Sequence, residues 1–162
     1  MTIAVGERLP EVTLYEMTDG RPTPVPSAEV FAGRKVALFG VPGAFTPTCH
    51  KSHMPSFVNT ADQLRAKGVD AIVCLTVNDP YVAAEWAKVT GADQAGIRIV
   101  CDSFAEFARA TALDFDASAR GLGVRCRRFS ALVDDGEVKV INIENTPGEA
   151  VSSVGDVLVD QI

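Results

Sequence analysis

The sequence lacks several features that would point directly to a function. Its four cysteines form no C-x-x-C pair and show no paired Cys/His spacing suited to zinc. Fifteen basic against twenty-one acidic residues give a net charge of −6, which argues against nucleic acid or an anionic membrane as the main partner. No apolar run approaches the ~18 residues of a membrane span. Because Glu7 and Arg8 interrupt any apolar leader, we expect a cytosolic protein.

Length and composition indicate how the chain is organised. It has 162 residues, 47% of them hydrophobic, and no break in composition. We therefore expect a single domain over residues 1–162 with a full apolar core.

One stretch, from Arg34 to Val58, organises the rest of the chain. The apolar run Lys35 to Val41 predicts a strand buried on both faces. A turn rich in Pro, Gly and Thr leads to Cys49, where the pattern predicts a helix that continues to Gly68. Pro55 lies inside that helix and is expected to kink it.

The remaining patterns predict an alternation of strands and helices. A peripheral hairpin precedes the central strand, and a second apolar strand spans 69–77. A helix is then predicted from Asp79-Pro80 to Val89, with a buried stripe including Trp86, and a strand follows at 97–101. A Ser103–Glu106 capping box predicts the next helix. The last elements are a hairpin of 128–133 with 138–143 and a terminal helix opened by a capping box at 146–149. This order indicates an α/β fold of the thioredoxin-like type, with a central mixed sheet flanked by helices.

The position of Cys49 suggests reactivity. The unpaired amides and the dipole at a helix N-terminus stabilise a thiolate, and such positions can lower a thiol pKa from ~8.5 to roughly 3.5–7.5. A lone cysteine is also often just a small core residue. Position alone leaves both interpretations open.

Several segments resemble a known family. PGAFTPTC at 42–49, followed by an H-x-P at 53–55, is similar to the peroxidatic site of the peroxiredoxins, in the type II branch that includes peroxiredoxin 5. The resemblance continues through VGERLP at 5–10, LTVNDPYV at 75–82, EWAK at 85–88 and RRFSALVDDGEVK at 127–139. Two positions depart from the family pattern: His50, where a small polar residue is common, and Ser56, where glycine is usual.

The resemblance implies a thiol peroxidase that reduces hydrogen peroxide and small alkyl hydroperoxides without metal, flavin or haem. Cys49 would be the nucleophile and become a sulfenic acid. Thr46 would donate to sulfur and peroxide, and Pro42 would wall the pocket. The family arginine falls on Arg128, with Arg125 a lesser candidate for the same pocket. A homodimer is implied by the resemblance as well.

Two other functions remain open at this point. His53 follows Cys49 by four residues on the expected helix, so a Cys–His hydrolase is a second hypothesis, although no orienting Asn or Asp is identifiable. The third is a thioredoxin-like binding module with a vestigial cysteine, against which the set of Pro42, Thr46, Cys49 and Arg128 argues.

Recycling of the sulfenic acid is the last question that the sequence raises. Animal peroxiredoxin 5 proteins carry a resolving cysteine near the start of the terminal helix, but residues 149–153 contain no thiol. Cys74 is the remaining internal candidate, although it lies within an apolar strand, whereas Cys101 and Cys126 are expected to be bystanders. We therefore expect an external thiol, glutathione with or without glutaredoxin, and keep a Cys49–Cys74 disulfide recycled by thioredoxin as the alternative.

Overall fold

A seven-stranded mixed sheet forms the centre of the computed structural model, which describes residues 1–162. Its strand order is β2-β1-β5-β4-β3-β8-β9; β3, β4 and β5 are parallel, and the outer strands are antiparallel to their neighbours. A two-stranded sheet, β6 with β7, lies beside it. The strands are β1 Thr13–Thr18, β2 Arg21–Pro26, β3 Lys35–Val41, β4 Ala71–Thr76, β5 Ile97–Cys101, β6 Asp114–Asp116, β7 Val124–Cys126, β8 Phe129–Asp134 and β9 Glu137–Ile143.

Helices cover both faces of this sheet, as expected for a thioredoxin-like fold. They are α1 Ser27–Phe31, α2 Met54–Ala66, α3 Pro80–Thr90, α4 Glu106–Ala110 and α5 Gly155–Gln161. One apolar cluster packs against α1 and α4, and the other against α2, α3 and α5. None of the helices is both long and apolar enough to cross a membrane.

The predicted central strand is confirmed. β3 spans Lys35–Val41, lies between β4 and β8, and is buried from Val36 onward. Leu38 faces one apolar cluster and Phe39 the other. This alternation explains why the strand reads as a continuous apolar run.

The helix after β3 begins as predicted but is not regular. The amide of His50 donates to the carbonyl of Thr46 at 2.9 Å, so Cys49 lies in the first turn. Residues Cys49–His53 then form a π-helical turn, in which the Met54 amide donates to the Cys49 carbonyl. Pro55 is the second residue of α2, which begins directly after this turn. Since its ring would clash with the carbonyl four residues earlier, the strain predicted as a kink is relieved by a wider turn.

Two local predictions about helices α3 and α4 are only partly right. Asp79 caps α3, its carboxylate accepting from the Val82 amide at 3.0 Å, but Val89 is exposed and not part of the buried stripe. The Ser103–Glu106 capping box is wrong. Asp102 instead accepts from the amides of Phe107 and Ala108 at 3.0 and 2.9 Å, and α4 starts at Glu106.

The C-terminal region holds one confirmed element and one error. The β8–β9 hairpin turns at Asp135-Gly136, both with positive φ. The terminal helix, predicted from the capping box at 146–149, begins only at Gly155. Residues 145–154 form an irregular loop, and Val151, which the predicted helix would have included, is exposed.

Candidate active site

Cys49 is fully buried where β3 has ended and the helix begins, directly behind a small cavity that is lined by its two hydrogen-bond partners, Thr46 and Arg128. The Thr46 hydroxyl lies 2.9 Å from its Sγ and 2.7 Å from the Gly43 carbonyl. A hydroxyl carries one hydrogen, so it can donate to only one of these acceptors at a time. When the sulfur is a thiolate, Thr46 can donate to it; when it is a thiol, the S–H can donate to Thr46, which then donates to Gly43.

Arg128 provides the second donor to the sulfur. Its Nη2 lies 3.2 Å from Cys49 Sγ and 2.9 Å from the Pro147 carbonyl, and its Nε donates to the same carbonyl at 3.3 Å. The side chain is 2% exposed, and no carboxylate lies within the 4.0 Å limit for an ion pair. A buried guanidinium requires a counter-charge. Among the groups that contact it, only the sulfur of Cys49 can supply one.

Backbone packing fixes where Arg128 lies. The residue directly precedes β8, and the first residue of that strand, Phe129, is paired with Gly40 of β3. A Cβ at Gly40 would overlap the Phe129 ring. Glycine at position 40 therefore lets β8 lie close to β3. Because the two strands are antiparallel, Arg128, just before β8, lies at the end of the sheet where β3 ends and the chain leads to Cys49.

His53 continues the network behind Arg128. Its Nδ1 lies 3.0 Å from Arg128 Nη1 and its Nε2 2.9 Å from the Ser153 carbonyl. Arginine can only donate, so Nδ1 accepts and Nε2 carries the hydrogen. Burial, and then the charge of Arg128, lower the pKa of His53 to about 3. Both ring nitrogens are occupied and neither contacts Sγ, so His53 is not placed as the base of a Cys–His hydrolase.

Glu144 holds the irregular loop that meets these residues. Its carboxylate accepts from the amides of Val151 and Ser153 at 2.7 and 2.8 Å and from the Ser153 hydroxyl at 2.8 Å. Burial would raise the pKa of Glu144, but these hydrogen bonds outweigh it and hold the pKa below its usual value. The loop amides are thereby satisfied without a helix, which is the physical reason that the capping-box prediction failed.

Pro42 and Arg125 shape the cavity from the other side. Pro42 lines it and is itself buried. Arg125 does not line it; its Nη1 donates to the Pro42 carbonyl at 3.0 Å and its Nε to the Leu122 carbonyl at 2.9 Å. Arg125 thus supports the turn that carries Pro42, and Arg128 is the arginine at the sulfur.

The other cysteines are enclosed in apolar surroundings. Cys74 lies in β4 beside Phe39, is fully buried and belongs to the same apolar cluster as Cys49. Burial, reinforced by the neighbouring Cys49, raises the pKa of Cys74 well above its usual value. Burial likewise raises the pKa of Cys101 to about 12 and that of Cys126 further. All four cysteines are free thiols.

Several cavity residues were not anticipated from the sequence. The cavity has a volume of about 170 Å³, and its lining includes Phe115, Arg120 and Leu122 from the β6–β7 region, and Pro147 and Gly148 from the irregular loop. The Thr48 hydroxyl donates to the Gly148 carbonyl at 3.0 Å. The Pro-Gly pair could have indicated a turn instead of a helix start. No local signal marks Arg120.

Comparisons with known proteins agree on one family. The redoxin family model matches residues 4–158. Chloroplastic peroxiredoxin-2E-2 of Oryza sativa subsp. japonica is 46% identical over 161 residues, covering 97% of this chain and 72% of that protein. Peroxiredoxin-2D of Arabidopsis thaliana is 42% identical over 158 residues, covering 96% of each chain. The crystal structure of reduced Prx3 from Vibrio vulnificus in complex with H₂O₂ superposes with a TM-score of 0.91 at 38% identity, covering 99% of this chain and 96% of that one.

The same relatives correct the expected location. Besides the chloroplastic rice protein, mitochondrial peroxiredoxin-2F of Oryza sativa subsp. japonica is 43% identical over 137 residues, covering 85% of this chain and 69% of that one. Both of these relatives are organellar proteins, and this finding contradicts the cytosolic location expected from the first residues, which is wrong. The early charges Glu7 and Arg8 do not indicate the compartment.

Proposed function

Because the chain belongs to the redoxin family and, within it, to the type II peroxiredoxins, which are thiol peroxidases, we propose that Cys49 is its peroxidatic nucleophile and that its substrates are hydrogen peroxide and small alkyl hydroperoxides. The thiolate attacks one peroxide oxygen and the O–O bond breaks. The other oxygen leaves as hydroxide or alkoxide and takes a proton, giving water or an alcohol. Sulfur is oxidised to the sulfenic acid.

The observation that carries this proposal is the contact between Arg128 and the sulfur. A buried cation with no carboxylate within 4.0 Å, placed 3.2 Å from Sγ, stabilises a thiolate at that position. The Pro147 carbonyl holds the guanidinium in place, so its donors stay directed at the cavity while charge moves from sulfur to the leaving oxygen. Preorganised donors of this kind lower the barrier because they need no reorientation during reaction.

Thr46 and Pro42 complete the site in this proposal. The Thr46 hydroxyl can exchange its single hydrogen between the Gly43 carbonyl and the sulfur or a bound peroxide. Pro42 has no amide hydrogen and presents an apolar ring to the cavity, which excludes water from the reacting sulfur.

For the second half of the cycle we propose an external thiol, with glutathione, alone or with glutaredoxin, as the reductant. The thiol attacks the sulfenic sulfur, water leaves, and a mixed disulfide forms; a second thiol then releases the Cys49 thiolate and a disulfide. Cys74 is the alternative partner, with thioredoxin as reductant. Its thiol is enclosed in the core and its raised pKa keeps it protonated, so it would be a poor nucleophile without local opening.

Mass spectrometry after one equivalent of hydrogen peroxide tests both halves. With glutathione present, the Cys49 peptide should gain one glutathione mass, and Cys74→Ala should keep glutathione-supported turnover. A rapid, quantitative Cys49–Cys74 disulfide in the native protein, with turnover lost in Cys74→Ala, would instead assign thioredoxin as the reductant.

We also propose that the chain, acting as one domain, forms a homodimer through the loops around the cavity. Three exposed aromatic side chains, Phe45, Tyr81 and Phe104, follow the carboxyl ends of β3, β4 and β5. Phe45 is held with a φ of 64°, a conformation that is unfavourable for a bulky residue outside a fixed context. Sedimentation should show a dimer, and Phe45→Glu should weaken it. Val89→Glu should leave the dimer intact, because Val89 lies at the C-terminal end of α3, whereas Tyr81 lies at its N-terminal end. A monomeric native protein would end this proposal.

A further inference from the structure

Arg120 lies at the active-site cavity without any partner of its own. It ends the short 3₁₀ turn Ser118–Arg120 between β6 and β7, and its side chain is exposed where it lines the cavity. No hydrogen bond or ion pair within 4.0 Å involves its guanidinium. The structure therefore contains a free cation at the entrance to Cys49.

The neighbouring arginines differ in this respect. Arg125 donates to the carbonyls of Pro42 and Leu122, Arg127 to the carbonyl of Glu144, and Arg128 to the carbonyl of Pro147. Each of these side chains is fixed by the protein itself. Arg120 is the one guanidinium near the site whose donors are all available to a ligand.

The turn that carries Arg120 is nevertheless well defined. The Asp116 carboxylate accepts from the Ser118 amide at 2.8 Å, the Ala117 amide donates to the Gly123 carbonyl at 2.7 Å, and the Leu122 amide donates to the Ala117 carbonyl at 3.2 Å. The Asp116 carboxylate is thereby engaged within the turn and forms no ion pair with Arg120. The backbone position of Arg120 at the cavity is fixed even though its side chain is free.

The charge of the cavity has one sign. Its ten lining residues include two charged side chains, Arg120 and Arg128, and both are arginines. The protein as a whole carries a net charge of −6, which repels an approaching anion. At the cavity itself, the positive charges of Arg120 and Arg128 attract an anionic ligand instead.

The size of the cavity shows which part of a ligand reaches Arg120. A volume of about 170 Å³ is well below the ~300–1,000 Å³ of pockets that enclose a drug-sized ligand. A peroxide or a single CH₂–SH arm fits, but a tripeptide thiol does not. The charged ends of such a thiol stay at the entrance while its sulfur reaches Cys49. Neutral peroxide already finds its donors in Thr46 and Arg128 and needs no further cation.

We propose that Arg120 binds a carboxylate of the thiol that reduces the Cys49 sulfenic acid, and so selects anionic, carboxylate-bearing thiols as reductants. This inference rests on the proposed recycling by an external thiol such as glutathione. The guanidinium pairs with the carboxylate at the cavity entrance, in the fork geometry that arginine offers and lysine does not. The thiol sulfur then attacks the sulfenic sulfur, and water leaves.

Single-turnover kinetics test this directly. The Cys49 sulfenic acid is formed with one equivalent of hydrogen peroxide, and its reduction is then timed with glutathione or with uncharged 2-mercaptoethanol. In Arg120→Gln the ratio of the glutathione rate to the 2-mercaptoethanol rate should fall by about 2- to 5-fold, the scale of one ion pair at a solvent-accessible site. Arg120→Glu should lower the ratio further, and Arg120→Lys should restore it only in part.

Arg21→Gln provides the matched control, because Arg21 is also exposed and without a side-chain partner but lies on the edge strand β2. That variant should leave the ratio unchanged. An unchanged ratio in Arg120→Gln and Arg120→Glu, or an equal loss with both thiols, would overturn the role of Arg120 and leave glutathione as the reductant. If glutathione fails to reduce the native protein, while the peroxide step proceeds, the proposed reductant falls and this inference with it.

Discussion

Cys49 and Cys74 lie in the same apolar cluster, both fully buried, yet their surroundings differ in one respect. The sulfur of Cys49 is within hydrogen-bond distance of Thr46 and Arg128, whereas no donor reaches that of Cys74. Burial raises the pKa of Cys74 and keeps it a thiol. Burial alone therefore does not distinguish the two cysteines; the donors placed beside the sulfur of Cys49 do.

The largest effect is expected from removing the sulfur of Cys49. Cys49→Ser should abolish peroxidase turnover and leave the fold intact, because a serine hydroxyl supplies no thiolate at neutral pH. Peroxide consumption and circular dichroism, measured on the same preparation, check this. Retained turnover would remove Cys49 from the mechanism.

The second-largest effect is expected from removing the charged donor, Arg128. Arg128→Ala should slow the reaction with peroxide by about 10²-fold or more, the scale for losing one preorganised donor. Stopped-flow measurement of Cys49 oxidation gives the rate. Arg125→Ala is the comparison, since Arg125 supports Pro42 and does not contact the sulfur; a larger loss there than in Arg128→Ala would reverse the assignment of the two arginines.

Removing the neutral donor should have an effect of similar or smaller size. Thr46→Val keeps the shape of the side chain but deletes the hydroxyl, and should slow Cys49 oxidation by about 10²-fold. Thr46→Ser keeps the hydroxyl and should retain most of the rate in the same assay. Equal losses in the two variants would indicate that shape, and not hydrogen bonding, is what Thr46 contributes.

The network behind Arg128 should produce a pH dependence of stability. His53 has a pKa of about 3 in the folded protein and ~6.5 when unfolded, so below ~6.5 the unfolded state binds the extra proton. The free energy of unfolding should then fall by about 1.4 kcal/mol for each pH unit between ~6.5 and about 3. Urea unfolding at pH 7 and pH 5 measures this. His53→Gln, which can accept from Arg128 and donate to Ser153, should lack that part of the slope; an identical slope would show that other groups cause it.

The smallest effect is expected at the second cysteine. Cys74→Ala should leave glutathione-supported turnover within about 2-fold of the native rate and lower the free energy of unfolding by about 1 kcal/mol, as for a small core truncation. Steady-state assays and urea unfolding measure the two quantities. A large loss of turnover with an unchanged oxidation rate would show that Cys74 takes part in recycling.

The elements that follow from local patterns were predictable from the sequence. The β3 apolar run, the Asp79 cap and the Asp-Gly hairpin turn depend on residues close in the chain, and each is confirmed. The irregular loop at 145–154 was not, although T-P-G-E is a valid helix start. Its carbonyls are taken by Arg128 and Thr48 and its amides by Glu144, contacts that local patterns do not contain.

The candidate site shows the same limit. Cys49 and Thr46 are three residues apart, so a turn and a helix start suffice to bring them together. Arg128 was placed only by the family resemblance, because its position depends on the pairing of Phe129 with Gly40, which lies 89 residues earlier in the chain. Arg120 could not be found in the sequence at all, since its distinguishing property is the absence of a partner.

The π-helical turn at Cys49–His53 has a consequence for which length changes the chain could accept. Such a turn holds one residue more than an α-helical turn, and its wider ring accommodates Pro55 near the start of α2. Lys51 and Ser52 are exposed in this turn, so neither is needed for packing. Deleting either would let the turn become α-helical, and the Pro55 ring would then meet the carbonyl four residues before it, the clash that the wider turn relieves. The two exposed side chains can therefore vary freely, while the number of residues between Cys49 and Pro55 is constrained.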